Sequence, residues 1–412
     1  MPTPSRSIAT RLEVIAAVLV VFTLLAGALS PSALASPGTS NSKHITVMET
    51  TFPLKHAAIA DDWLPGYTGP PRAKVAFPAG YNPNRKYPLL VLLAGVTSDY
   101  SFWAAPRLGD IARTAAGLDA IVVMPEGASG WYTDWWNGGA RGNPSWETYI
   151  LDDVIPQVMK RYPIRPERRW HALAGISMGG LGTAYLGGRL PGFFGSIAVM
   201  SGLADLHLAP AQGSLLSFIS ANAAKAPYDP LAVYGPENGP YSRGHDPMKL
   251  VSNLRHTRIF MTTGNGEALT PDDTFLDQIA EGLIIRTAMD NYARALRDAG
   301  IDITYRTHSG AHTFTNFRRE LRAAIAWGLF GPVAERPAKW VNSTVARSGS
   351  LWGLRYRFTS APTRVTRFSR KGDVLKISSA GTSVRLTTPA GCSIRTPTPA
   401  TVRLSRAACR AG

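Results

Sequence analysis

Cysteine is almost missing. The 412-residue chain has two, Cys392 and Cys409, which rules out a disulfide-dense scaffold and a thiolate metal cluster. No histidine lies between or beside them, so a metal site is not expected. One disulfide is the natural reading for a chain that meets an oxidising compartment. Long apolar runs are missing too, except at the start. Arg6 and Arg11 precede an apolar stretch from Val14 to Leu29, and Ala33-Leu34-Ala35 is a small-x-small cleavage site. Residues 1–35 therefore read as a secretory signal peptide, with the mature chain beginning at Ser36 and a secreted or envelope-associated destination. The run is too short for a full bilayer span, which favours cleavage over an uncleaved anchor.

The third scarcity is local. From Arg336 to the end there are 15 Lys and Arg but one acidic residue, Asp373. The whole chain carries +16, and its middle is near neutral. This asymmetry marks a domain boundary. Apolar residues make up 45%, enough for a sizeable core and against wholesale disorder.

The stretch His171-Ala172-Leu173-Ala174-Gly175-Ile176-Ser177-Met178-Gly179-Gly180 runs from apolar residues into Gly-x-Ser-x-Gly and on into a helical pattern. A nucleophile elbow has this form. It lifts the Ser177 hydroxyl clear of a sheet and leaves the Met178 N–H free to stabilise an oxyanion. Side chains at Gly175 and Gly179 would collide across such a turn. Buried-strand runs flank it, at Tyr87 to Leu93, Ala120 to Pro125, Ser196 to Met200, Arg258 to Thr262 and Ile301 to Thr307. Helical patterns cover Phe102 to Ala116, Trp146 to Arg161 with Ser145 as N-cap, Thr274 to Ala299 and Asn316 to Leu329. His44 to Phe52 and Ala73 to Phe77 read as earlier strands, and Leu203 to Lys249 as an insertion over the active-site face. Strands alternating with helices predict an α/β-hydrolase fold, with a mostly parallel sheet covered on both faces, over residues 44–332.

A serine needs a base, and the base needs an acid to orient it. Of the eight histidines, only His308 and His312 follow the last core strand. Position and order favour His312, deeper in the Gly-containing loop. Glu267, Asp272, Asp273, Asp277 and Glu281 all follow the preceding strand, and pattern does not choose among them.

Tyr132-Thr133-Asp134-Trp135, Trp146-Glu147-Thr148, Gly175-Ile176-Ser177-Met178, Gly264-Asn265-Gly266, Glu281-Gly282-Leu283, Arg286-Thr287 and Gly310-Ala311-His312 resemble the secreted mycolyltransferases of the antigen 85 family. That family belongs to the esterase D-like branch of α/β-hydrolases. The resemblance covers about Thr51 to Leu329. It implies Glu281 as acid, His312 as base, and Val96 with Met178 as oxyanion-hole amides. Where that family has Asp and Arg to grip a sugar, this chain has Ala94 and Thr97. The expectation is therefore a cofactor-free serine esterase or acyltransferase acting on lipid or other acyl esters. Mycolyl-type transfer to trehalose or another envelope hydroxyl is one alternative, and a non-catalytic envelope-binding protein is a second.

Residues 336–412 alternate apolar and basic residues in short runs, including Leu354 to Phe358, Val374 to Ile377, Val384 to Leu386 and Val402 to Leu404. A small β-sandwich with a basic outer face and one disulfide is expected. Charge alone would admit nucleic acid as a partner. Export makes an anionic envelope polymer or lipid the expected one, with no nucleic acid.

Overall fold

A computed structural model describes residues 44–209 and 212–404. The leader expected over residues 1–35 and Cys409, the expected partner of Cys392, lie outside the described residues. No helix among those described is long and apolar enough to cross a membrane.

The larger part is an eight-stranded sheet of β1 (Thr46–Thr51), β2 (Arg72–Phe77), β3 (Leu89–Leu93), β4 (Ile121–Pro125), β5 (His171–Ser177), β6 (Ser196–Gly202), β7 (Arg258–Gly264) and β8 (Ile303–His308). Its order is β1-β2-β4-β3-β5-β6-β7-β8. The first two strands join antiparallel and the other six are mutually parallel. Strands β3, β4, β5 and β6 are buried at every residue, as near-continuous apolar runs in a sheet covered on both faces must be. Alternate residues feed two cores. Leu93, Leu173, Ile197 and Val199 pack with the elbow helix (Met178–Arg189) and with Met289 and Leu296 of the helix Arg286–Asp298. Leu90, Leu92, Ala174 and Met200 pack with Phe317 and Leu321 of the closing helix (Phe314–Trp327).

Two local expectations need correction. The helix expected over Phe102 to Ala116 is only Ile111–Thr114. Gly109 is pressed against Trp103, where a Cβ would sit 2.4 Å from the Trp103 Cα, and Asp110 is left-handed with φ 44°. Neither fits a continuous helix. Ser145 makes no side-chain cap; its hydroxyl is 3.3 Å from the Asn143 carbonyl instead. The helix it precedes is interrupted by a π-turn, Tyr149–Val154, before Ile155–Arg161. The insertion is partly helical, at Gln212–Ala223, Pro240–His245 and Pro247–Leu250.

The C-terminal part is a small all-β domain. One antiparallel sheet has the order β10-β11-β14-β15, from Ser348–Leu351, Leu354–Phe358, Val384–Thr387 and Ser393–Thr396. The other is β16-β13-β12-β9, from Ala400–Arg403, Val374–Ile377, Thr366–Lys371 and Lys339–Thr344. Tyr356, Phe358 and Leu386 of the first share one core with Trp340, Phe368 and Leu375 of the second, the expected sandwich.

This domain is docked on the larger part. Asn342 Nδ2 donates to the Gly188 carbonyl at 3.0 Å. Asn253 and Ser343 exchange two hydrogen bonds, at 2.9 and 2.8 Å. Buried Arg189 reaches the Tyr356 hydroxyl at 3.3 Å. The Glu335 carboxylate accepts from the backbone N–H groups of Arg168 and Arg169. The contacts gather at the far end of the elbow helix, away from Ser177.

Candidate active site

Because β5, β6, β7 and β8 run parallel, their C-terminal ends share one edge, the usual place for ligands in such sheets. Ser177 ends β5 with φ 55° and ψ −118°, a strained conformation for a residue with a Cβ. The glycines make the turn possible. A Cβ at Gly175 would lie 2.3 Å from the Gly179 carbonyl, and one at Gly179 would lie 2.6 Å from the Ala94 carbonyl. Ser177 is 6% exposed. It sits at the start of a twelve-residue helix, whose terminal N–H groups and dipole favour negative charge.

The loop after β3 runs beside the serine. A Cβ on Gly95 would be 3.4 Å from the Ser177 Cβ and 3.9 Å from its Oγ. Val96, the next residue, is buried. Its neighbours are fixed from both sides. The Tyr132 hydroxyl accepts from Ala94 N at 2.9 Å and is 3.2 Å from the Ala94 carbonyl. Thr97 N donates to Ser129 Oγ at 3.1 Å. The Tyr132 loop is itself tied down, because Asp134 accepts from the Thr148 N–H at 2.9 Å and the Thr148 hydroxyl at 2.6 Å. Two motifs that read separately in the sequence thus form one brace for the turn carrying Val96.

Glu281 and His312 meet. His312 Nδ1 is 2.6 Å from Glu281 Oε2, and Glu281 is fully buried. The other oxygen, Oε1, accepts from Thr263 Oγ1 at 2.6 Å, Gly264 N at 2.7 Å and Ser201 Oγ at 2.7 Å. Burial alone would push this carboxyl up, but the bonds from His312, Thr263 and Ser201 outweigh it and hold Glu281 below its ordinary value. An ionised Glu281 bonded to Nδ1 leaves the other ring nitrogen, Nε2, to act as a base. The imidazole packs edge-on against Phe317, with centroids 4.9 Å apart. His312 N also donates to the Asp277 carbonyl at 3.1 Å.

Ser177 pairs in register with Gly202, next to the Ser201 that touches Glu281. The three expected side chains therefore converge on one sheet edge. The rival acids are engaged elsewhere. Asp277 closes a capping box with Thr274, Asp273 accepts from Leu269 N and Thr270 N, and Glu267 and Asp272 are exposed. His308 does not reach Glu281; its Nε2 is 2.9 Å from Glu320. Sequence reasoning missed Ser201, Thr263 and Glu320. Ser201 and Thr263 stand one residue past the ends of predicted strands, the one signal that could have drawn attention to them. Among the described residues, no group of three His, Cys, Asp or Glu side chains is arranged to hold a metal ion.

Known proteins agree with this architecture. The Esterase family model matches residues 68–327. An esterase of Mycobacterium tuberculosis is 28% identical over 284 residues, which are 66% of this chain and 59% of that relative. The chain thus spans well under two thirds of that relative's length. An acetyl esterase of Caldicellulosiruptor saccharolyticus is 24% identical over 244 residues, 58% of this chain and 82% of that one. Among solved structures, Mycobacterium tuberculosis MPT51 (FbpC1) superposes with TM-score 0.52 at 19% identity, covering 72% of this chain and 98% of its own. A fluorophosphonate-binding serine hydrolase of Staphylococcus aureus gives TM-score 0.52 at 17% identity, covering 70% and 99%. These likenesses show the fold, and the family model, which matches well over half of the chain, carries the assignment: the chain belongs to the Esterase family.

Proposed function

We propose that the protein is an exported serine esterase that cleaves acyl esters through an acyl-enzyme, with water as the usual acceptor. The observation that carries this reading is the 2.6 Å Glu281–His312 bond at the sheet edge where Ser177 stands on its strained turn. In the proposed cycle His312 takes the Ser177 proton, and Oγ attacks the ester carbonyl. The N–H groups of Met178 and Val96 hold the oxyanion, and His312 returns the proton to the leaving alcohol. Water then repeats the sequence on the acyl-enzyme. Removing a triad member typically costs about four or more orders of magnitude in rate. The test is fluorophosphonate labelling and p-nitrophenyl ester hydrolysis by the parent and Ser177→Ala. Full activity in folded Ser177→Ala protein would end the serine mechanism.

Two features bear on the substrate. Phe275, Ile279 and Leu283 follow one another at four-residue spacing along the segment that carries Glu281. Phe275 is 71% and Leu283 51% exposed, an apolar stripe suited to an acyl chain. Trehalose is not favoured as acceptor, since Ala94 and Thr97 stand where the mycolyltransferases have Asp and Arg. Mass spectrometry of products formed from an acyl donor with and without trehalose tests this; acyl-trehalose as the main product would restore the transferase reading.

The β-domain is proposed to hold the enzyme on an anionic envelope polymer or lipid surface, with its fold closed by a Cys392–Cys409 disulfide. The support is a row of arginines. Arg357 pairs with Arg385, and Arg385 with Arg395, across three neighbouring strands. All three are exposed. Like charges directly opposite one another in a sheet repel, and no acidic side chain is present beyond Arg336 except Asp373.

A further inference from the structure

Glu281 has a second buried carboxylate behind it that the serine mechanism does not use. Ser201 Oγ lies 2.7 Å from Glu281 Oε1 and 2.7 Å from Glu320 Oε1. Glu320 also meets His308 Nε2, at 2.9 Å. Glu281 and Glu320 are fully buried, and Ser201 is 1% exposed. The four groups come from four elements: the π-turn Ala280–Ile285, the end of β6, the closing helix and the end of β8.

Counting protons decides how this row works. Its three contacts, Glu281 to Ser201, Ser201 to Glu320 and Glu320 to His308, each need one hydrogen. The Ser201 hydroxyl has one. Glu281 already accepts from His312, Thr263 and Gly264, so it is the ionised member and takes the Ser201 hydrogen. The hydrogen between Ser201 and Glu320 then belongs to Glu320, as a neutral carboxylic acid. His308 Nδ1 faces the Ser309 carbonyl at 2.9 Å. A carbonyl only accepts, so Nδ1 is protonated, and the third contact is complete when Nε2 is protonated as well. Two ionised carboxylates around one hydroxyl would repel.

We propose that Glu320 is a positioning residue for the triad acid. As a neutral acid held by His308, it directs the Ser201 hydroxyl onto Glu281 and so fixes the carboxylate that orients His312. When it ionises, it adds a negative charge behind Glu281 and strengthens His312 as a base. Burial, and then the Glu281 charge against the opposing bond from His308, pushes Glu320 up to about 7, so the change falls near neutrality. The other charged groups around the row are His312 beyond Glu281 and Arg319 beside His308. This inference rests on the triad reading above.

The test uses the full chain with Ser201→Ala, Glu320→Ala and the isosteric Glu320→Gln, folding being checked by circular dichroism. One readout needs no turnover: the downfield proton resonance of the His312–Glu281 hydrogen bond. It should shift or broaden in Ser201→Ala and Glu320→Ala and stay close to the parent in Glu320→Gln, whose amide can donate one hydrogen to Ser201 and the other to the Nε2 of a neutral His308, since both meet the same Glu320 oxygen. The second readout is the pH profile for p-nitrophenyl acetate. Ser201→Ala should lower kcat about ten-fold with little change in KM. Glu320→Gln should lose the inflection near pH 7 expected of the parent and move its acid limb to lower pH. An unmoved resonance in folded Ser201→Ala and Glu320→Ala, or superimposable pH profiles for the parent and Glu320→Gln, would overturn the proposal. Should the alanine variants fail to fold, Glu320→Gln decides by its pH profile. A parent that hydrolysed no ester would sink the proposed function, while the resonance would still report whether Glu320 positions Glu281.

Discussion

At the scale of single residues, five acids follow β7, and only the folded chain separates them. Asp277 and Asp273 serve their own local turns, which frees neither for a histidine. Glu281 is turned inward by a π-turn, a feature with no simple sequence signal, so resemblance reached it where pattern could not. The two histidines give a direct contrast. His312→Ala should cost about four orders of magnitude in kcat/KM. His308→Ala should cost far less activity and lower stability by about 1–3 kcal/mol, because it strips a partner from buried Glu320. Equal losses in both would remove His312 from its role. The buried acids also set a pH dependence of stability. Burial pushes Glu126 and Glu320 up to about 7. Their contribution is complete below the ordinary carboxylate value near 4.3 and is lost as pH rises through about 7. Burial pushes Glu147 up, but the Arg189 charge, His245 and the Tyr185 hydroxyl together outweigh it and hold the carboxyl at about 2. Its contribution is lost as pH falls through that range. Thermal melts should therefore peak at roughly pH 4–5 and decline toward neutrality, and Glu126→Gln or Glu320→Gln should flatten the decline.

At the scale of elements, the core strands read well because a doubly covered parallel sheet writes itself as unbroken apolar runs. The elbow read well because Gly175 and Gly179 are steric necessities. The segment Phe102 to Ala116 misled because its apolar residues pack as turns around Trp103, with Phe102 against its ring and Gly109 so close that a Cβ there would clash. The same sterics give an element-level prediction. In Gly179→Ala the new methyl would meet the Ala94 and Leu93 carbonyls at 2.6 and 2.7 Å, both backbone atoms that cannot swing away. The β3 loop bearing Val96 must then shift. Overpacking of this kind costs about 1–3 kcal/mol, and a displacement of about 1 Å in a positioning loop can cost about a hundred-fold in rate. Gly179→Ala should thus hurt kcat far more than it hurts melting temperature. Wild-type kcat in that variant would mean that the elbow and the β3 loop move independently of catalysis.

At the scale of the whole molecule, the net charge and the Ser177, Glu281 and His312 cluster occupy separate domains, and this division was legible in the composition after Arg336. The joint between them was not. Its hydrogen bonds involve Asn253, Asn342, Ser343, Gly188 and Arg189, ordinary polar residues and backbone that carry no pattern. The joint also decides how the charge should be tested. Deleting everything after Glu335 would strip the Asn342 bond from the Gly188 carbonyl, both Ser343 bonds from Asn253 and the Tyr356 contact from buried Arg189 at the end of the elbow helix, so lost activity would report damage to the larger domain. Surface substitutions avoid that. Arg357, Arg385 and Arg395 point outward from strands whose alternate residues, Tyr356, Phe358, Val384 and Leu386, fill the core. Replacing the three arginines by glutamate should leave the fold, and the turnover of small soluble esters, near parent values. Each arginine contributes little alone against an extended anionic surface, but their effects accumulate. Salt screens them over about 8 Å at physiological strength. Parent protein should co-sediment with anionic liposomes or isolated cell envelopes at low salt and be released as salt rises. The triple glutamate variant should remain in solution throughout. If parent and variant sedimented alike across the salt series, the arginine row would have no anchoring role, and the domain would be a packing partner for the elbow helix.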